Sequence, residues 1–268
     1  MRRRRSGQVA LERALSKLGL MSRAEARRAI VAGRIAVDGR KVTDPFAPVV
    51  PERLALALDG APLVPPAFRC LMLHKPRGVV TTRADPEGRR TVFDLVPEEA
   101  HLIAVGRLDW ATSGLLLLTN DTRLADGLTD PSHAVPRVYL ATVHGRLDAA
   151  TAARLEAGLR VDGEPLAAAA VTVRKASGRE THLTVTLTEG RNREVRRLLA
   201  AVGHEVTRLK RVAFGGLALG ALAPGRWREV GLEEAQRAFA GAWRPSDEGR
   251  LGDPGGPEGA LEIPSRVC

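Results

Sequence analysis

The chain has 268 residues, 44% hydrophobic and only 3% aromatic, with 41 Lys and Arg against 31 Asp and Glu for a formal charge of +10. This length suits two modest domains with cores of Leu, Val and Ala, and this charge points to a polyanionic partner, most simply nucleic acid. Two distant cysteines, Cys70 and Cys268, exclude a disulfide framework or a zinc site and fit a reducing cytoplasm. In chain order, Val9–Leu20 places Leu11, Leu15 and Leu18 on one helical face, with Gly19 as its end signal. Ser22 and Glu25 form a capping box for a second helix, which runs to about Ala32 and stops at Gly33. Asp38-Gly39 between short β-like runs predicts a hairpin. Residues 8–60 therefore read as a small α/β unit. Its cations are Lys17, Arg23, Arg27, Arg28, Arg34 and Lys41, and Glu25 is the single acid among the charged residues from Arg23 to Arg34. A net-positive helix face suits phosphate contact more than intrahelical pairing.

Residues 61–67, rich in Pro and Gly with the two residues before them, read as a linker. The module at 68–243 opens with a short strand, Cys70–Leu73, followed by Lys75-Pro76-Arg77-Gly78. Thr91–Leu95 reads as a short helix or turn. His101–Leu108 is strand-like, Asp109 to Gly114 is a polar corner, and Leu115–Leu118 is a buried strand. A short helix at Thr122–Leu128 and a strand at Arg137–His144 follow; the strand holds Tyr139, the chain's only tyrosine. An Ala-rich helix at Asp148–Leu159 precedes strands at Val171–Arg174 and His182–Thr188. The helix at Arg193–Val202 buries a stripe of Val195, Leu198, Leu199 and Val202. At roughly 100° per residue, Arg193 and Arg197 point away from that stripe, while Arg196 sits at its edge and can snorkel inward. A strand at Val206–Ala213 and a helix at Leu232–Phe239 close the module, giving an α+β fold with a mainly antiparallel sheet.

Residues 244–268 are rich in Gly, Pro and Ser and are expected to be disordered. Five acids and three arginines give them a charge of −2, leaving +12 on the rest. The basic start, Met1 to Arg5, has no apolar segment behind it, so no signal peptide is expected. No run is long enough to span a membrane.

Asp109 alone supports two readings: a turn aspartate that caps its own backbone, or a rigidly held catalytic carboxylate. The wider string separates them. GRLDWATSGLLLLTND resembles the catalytic motif of the pseudouridine synthases, most closely the branch that modifies ribosomal RNA and carries an N-terminal S4 domain. SRAEARRAIVAGRIAVDGRKV likewise resembles the S4 RNA-binding domain, and KPRG, RVYLATVHG and EGRNREVRRLL resemble further synthase strings. The resemblance implies that Asp109 is the essential residue, that Tyr139 stacks on the flipped uracil and helps remove its C5 proton, and that Arg196 is the active-site cation. Lys17, Arg23, Arg27, Arg28, Arg34, Lys41, Lys75, Arg107 and Arg193 are the expected RNA contacts. It also implies isomerisation of uridine in ribosomal RNA without cofactor or metal, more in the style of the large-subunit (23S) enzymes, with 16S rRNA or tRNA as the alternative target. A cytoplasmic monomer is expected, since one S4 unit and one synthase unit complete the scheme. The carboxylate either attacks C1′ or removes a proton from C2′. Two rival readings are a non-catalytic S4-type assembly factor and a metal-dependent nuclease built on Asp109, Asp121 and Asp126.

Overall fold

Two helices and a small sheet form the N-terminal unit. The computed structural model describes residues 8–51, 54–97 and 101–245. In this unit β1 is Val9–Ala10, α1 Leu11–Lys17, α2 Arg23–Val31, β2 Ile35–Val37, β3 Arg40–Lys41, β4 Pro48–Val49, β5 Leu56–Leu58 and β6 Ala61–Pro62. Val9 and Ala10, expected as helix, instead pair with β4, and the first amides of α1 at Leu11 and Glu12 donate to the carbonyls of Ala47 and Pro45. A non-local strand contact thus overrides local helix periodicity. The capping box of α2 is present in full, with Ser22 N–H donating to Glu25 at 2.8 Å and Glu25 N–H to the Ser22 hydroxyl at 3.2 Å. Those Ser22 bonds, the largest influence, hold the Glu25 carboxyl down at about 2. Asp38 and Gly39 both take positive φ, as a tight β2–β3 hairpin requires. Leu11, Leu15, Ala26, Ile30, Ile35 and Leu56 make the core.

The linker is shorter than its composition suggested. Ala61 and Pro62 pair with β5 and Leu63 packs on the N-terminal core, so residues 64–67 join the units. The units also touch: His101 Nε2 lies 2.8 Å from Glu25, and the Thr122 hydroxyl donates to the Lys17 carbonyl at 3.0 Å.

The second unit contains β7 at Cys70–Lys75, a 3-10 turn at Val92–Leu95, β8 at Ile103–Ala104, β9 at Ser113–Thr119, α3 at Thr122–Thr129, β10 at Arg137–His144 and α4 at Ala149–Ala157. Then come β11 at Leu159–Val161, β12 at Glu164–Leu166, β13 at Ala170–Ala176, β14 at Glu180–Leu187, α5 at Glu194–Ala201, β15 at Val206–Phe214, β16 at Leu217–Ala218, β17 at Trp227–Glu229 and α6 at Leu232–Phe239. The main sheet runs β13-β14-β10-β15-β9-β7-β17, with β16 on β15 and β8 on β9. Among the described residues its pairings are antiparallel except β15 with β9. Of the strand-like run His101–Leu108 only Ile103–Ala104 is strand, because Gly106 turns the chain at φ +68°. The Arg244–Cys268 tail lies outside the described residues from residue 246 on. Among the described residues no helix is long and apolar enough to cross a membrane.

Strand β9 explains why Leu115–Leu118 is unbroken rather than alternating. All four leucines are fully buried, Leu116 and Leu118 on one face of the sheet and Leu115 and Leu117 on the other, each in its own core cluster. At the head of β9, Gly114 has φ +116°, and a Cβ there would lie 2.1 Å from Arg211 O and 2.5 Å from Arg211 N. Gly114→Ala is expected to destabilise by more than about 3 kcal/mol, combining backbone strain with a forced separation of β9 and β15. The thermal midpoint should fall by roughly 10 °C; an unchanged midpoint would show that the strands are not held this closely.

Candidate active site

The corner between β8 and β9 is laced from below. Thr112 N–H closes a turn onto Asp109 O at 3.1 Å. The end of β7 and the segment after it grip this turn at three further points. Lys75 Nζ donates to Thr112 O at 2.8 Å, Gly78 N–H to Trp110 O at 2.9 Å, and the Thr81 hydroxyl to Leu108 O at 2.9 Å. The backbone on both sides of Asp109 is thereby fixed, which limits how far its carboxylate can wander.

Asp109 Oδ2 faces two guanidinium groups, Arg196 Nε at 3.3 Å and Arg193 Nη1 at 3.4 Å. Asp109 Oδ1 is buried without a hydrogen-bond partner among the described residues. Arg196 is itself oriented by donating from Nη1 to Val206 O at 3.0 Å. It lies on α5, where the apolar stripe rests on the sheet, as the helical periodicity predicted. Arg193 departs from that prediction. It is the residue before α5, its φ is +50°, and this left-handed turn swings its side chain toward Asp109 instead of away from the core.

Asp109 and Tyr139 both line a cavity of about 520 Å³, with Arg107, Leu209 and Arg193 among the other walls. Tyr139 is 9% exposed, near the start of β10, with Arg211 directly across on β15. Arg211 and Arg137 line the inner part of the cavity and stand over Phe214, at 4.8 and 5.0 Å from its ring centre. Arg137 donates to the carbonyls of Val135, Thr188 and Leu128, and burial lowers its pKa. Arg211 Nε donates to Leu115 O at 2.7 Å, while its Nη2 has no partner among the described residues. Glu194, buried at the start of α5, has its pKa raised chiefly by burial. A pocket of this size, with an aromatic face, the Asp109 carboxylate and several fixed donors, is suited to a single nucleotide.

Residues 11–52 match the S4 domain, and residues 69–201 match RNA pseudouridylate synthase. An RNA pseudouridine synthase of Aquifex aeolicus is 37% identical over 234 residues, covering 87% of this chain and 94% of its own. The chain belongs to the RNA pseudouridine synthase family. Ribosomal large subunit pseudouridine synthase B of Salmonella typhimurium is 41% identical across 84% of this chain and 80% of its own. A crystal structure of a pseudouridylate synthase superposes with a TM-score of 0.61 at 24% identity, across 86% of this chain and 99% of that one, which shows a shared fold. The protein is thus an isomerase that converts uridine to pseudouridine in RNA, with an S4 domain ahead of the synthase domain.

Lys75 requires a correction. Expected on the RNA-facing surface, it is wholly buried at the end of β7, where it pairs with Gly114 of β9 and its side chain reaches under the Asp109 turn. Its ammonium donates to Thr112 O and to Pro76 O at 3.0 Å. Burial pulls its pKa down to about 8, against an opposing pull from Asp109. Its ammonium lies beneath the Asp109 turn, away from solvent.

The other expected contacts separate into two groups. Arg107 and Arg193 stand at the cavity. Arg23, Arg28 and Lys41 are exposed on the S4 unit, and Lys17 is half-buried in the last turn of α1. Arg27 pairs with Glu12 at 2.8 Å and lies over Phe46, and Arg34 pairs with Asp59 at 2.6 Å. These two cations bring less net charge to a phosphate than the sequence count implied. Asp121, one carboxylate of the nuclease reading, caps α3 by accepting from Arg123 N–H and Leu124 N–H.

Arg137, Arg211 and the positioning role of Lys75 were missed from the sequence. One signal was available for Arg137: it sits two residues before Tyr139 on the same strand, hence on the same face. Nothing local marks Arg211, whose place opposite Tyr139 depends on strand register.

Proposed function

We propose that this synthase isomerises one uridine of 23S ribosomal RNA, with Asp109 carrying the chemistry on the ribose. The observation that carries the reading is the Asp109 carboxylate on the cavity wall, held between Arg193 and Arg196 and sharing the cavity with Tyr139. The large-subunit assignment draws on the 41% identity with the Salmonella large-subunit enzyme, which extends across both domains.

The uridine leaves its stack and enters the cavity, at a cost of a few kcal/mol that stacking and phosphate contacts offset. Asp109 acts as nucleophile at C1′ or as base at C2′, and either route breaks the C1′–N1 bond. The uracil turns, C5 bonds to C1′, and the proton on C5 leaves while N1 gains one, so the product is an isomer. Tyr139 lies against the base and assists at C5. Arg193 and Arg196 hold the carboxylate by charge-assisted hydrogen bonds. One S4 unit and one synthase unit supply every part of this scheme, which supports action as a monomer. The two separated cysteines fit a cytoplasmic site of action.

Pseudouridine mapping of total RNA from strains with and without the gene tests the target. Loss of a single 23S site is the expected result. Loss confined to 16S or transfer RNA would remove the large-subunit assignment and leave the chemistry intact.

A further inference from the structure

Trp110 follows Asp109 immediately, yet the residue is 52% exposed. The contrast within the chain is sharp. Trp243 is 5% exposed and stacks on Phe68 with ring centres 5.4 Å apart. Trp110 has no ring partner among the described residues, although its backbone is fixed through Gly78 N–H and it lines the mouth of the cavity. Two exposed arginines border it in the chain's own geometry. Arg107 lies on the same corner, and Arg77 precedes the glycine that holds the Trp110 carbonyl; neither has an ion-pair partner among the described residues.

We propose that Trp110 is a stacking platform for the nucleobase that flanks the flipped uridine, with Arg77 and Arg107 on that nucleotide's phosphates. Extruding one base uncovers a face of each neighbour, and an aromatic ring next to the carboxylate is the surface nearest to hand. Consecutive Cα atoms lie about 3.8 Å apart, so a ribose engaged by Asp109 brings the next nucleotide within reach of the indole. A flat aromatic ring beside free cations matches a base and its phosphate, since every base offers a π-face and base–aromatic stacking is insensitive to sequence. The proposal rests on reading the cavity as the uridine site. It adds a second base subsite at the mouth of the cavity, supplied by a residue that touches RNA without taking part in bond exchange.

The test is a double-mutant cycle in equilibrium binding. The full-length chain carries Asp109→Asn throughout to prevent turnover, and the probe is an rRNA fragment around the uridine mapped as the wild-type target. Each flanking nucleotide is replaced in turn by an abasic one. Trp110→Ala should weaken binding of the intact fragment by about 5- to 100-fold and leave one of the abasic fragments nearly unaffected. Trp110→Phe should restore most of the loss. Equal losses on the intact fragment and on both abasic fragments would overturn the proposal, as would no loss at all. Trp110 is half in solvent, so both variants are expected to fold. The cycle reads binding alone; a failure of Asp109 as the reacting group would appear instead as residual turnover in the Asp109→Asn parent.

Discussion

Replacing Asp109 by Asn should lower pseudouridine formation by at least about 10³-fold while leaving the fold and RNA affinity nearly intact. The amide has the shape of the carboxylate but can neither attack C1′ nor take a proton from C2′. The turn does not depend on the carboxylate, because Lys75, Gly78 and Thr81 hold the backbone at Thr112, Trp110 and Leu108. What the variant loses is two long contacts, 3.3 Å to Arg196 and 3.4 Å to Arg193. At that length, with Arg193 half exposed, the loss should stay within about 2 kcal/mol. Affinity for RNA should hold or rise slightly, since a negative charge leaves the cavity wall. Single-turnover kinetics on the mapped fragment, with binding and thermal unfolding measured on the same samples, separate the outcomes. Turnover within tenfold of wild type would return Asp109 to the rank of a turn residue. A collapse of folding and activity together would assign it a structural role instead.

The parts of this site legible in the sequence are those encoded by local pattern. Glu25 follows Ser22 by three residues, so the capping box of α2 needed no tertiary information. Asp38-Gly39 demands positive φ at both positions and sets its hairpin alone. Leu115–Leu118 announced a strand buried on both faces, and the stripe on α5 placed Arg196 at its edge. What escaped was non-local or conformational. Val9 and Ala10 read as helix because their partner, Pro48–Val49, lies far along the chain. Arg193 was projected along an ideal helix, whereas a left-handed φ places it outside α5 altogether. Arg211 meets Tyr139 only through the register of β10 on β15. Lys75 was the largest miss, for the plainest reason: a lysine beside Pro and Arg reads as surface, and nothing in the string shows that its side chain turns under Thr112.

Lys75→Met should give a chain close to wild type in stability at neutral pH but more than about 10²-fold less active. Two terms oppose each other at the buried amine. Burial lowers its pKa from 10.5 to about 8, so keeping it charged at neutral pH costs roughly 3 kcal/mol, which the substitution removes. Against this, Pro76 O and Thr112 O lose their donor, at about 1–3 kcal/mol for a buried group left unpaired. The net change in stability is therefore small, while the Asp109 turn loses its clamp. Displacement of the carboxylate by about 1 Å is enough for the expected fall in rate. The pH profile identifies the amine itself. Between pH 8 and 10.5 the unfolded chain holds a proton on Lys75 that the folded chain has released, so this group makes wild-type stability rise with pH across that window. Below pH 8 both states are protonated and its contribution is flat. Denaturant unfolding of wild type and Lys75→Met from pH 7 to 10.5 should thus show the wild type gaining up to roughly 3 kcal/mol relative to the variant. Parallel curves would place the amine in contact with water and undo its role as the buried support of Asp109. Diverging curves with unimpaired turnover would keep the burial but show that the turn holds its shape without the clamp.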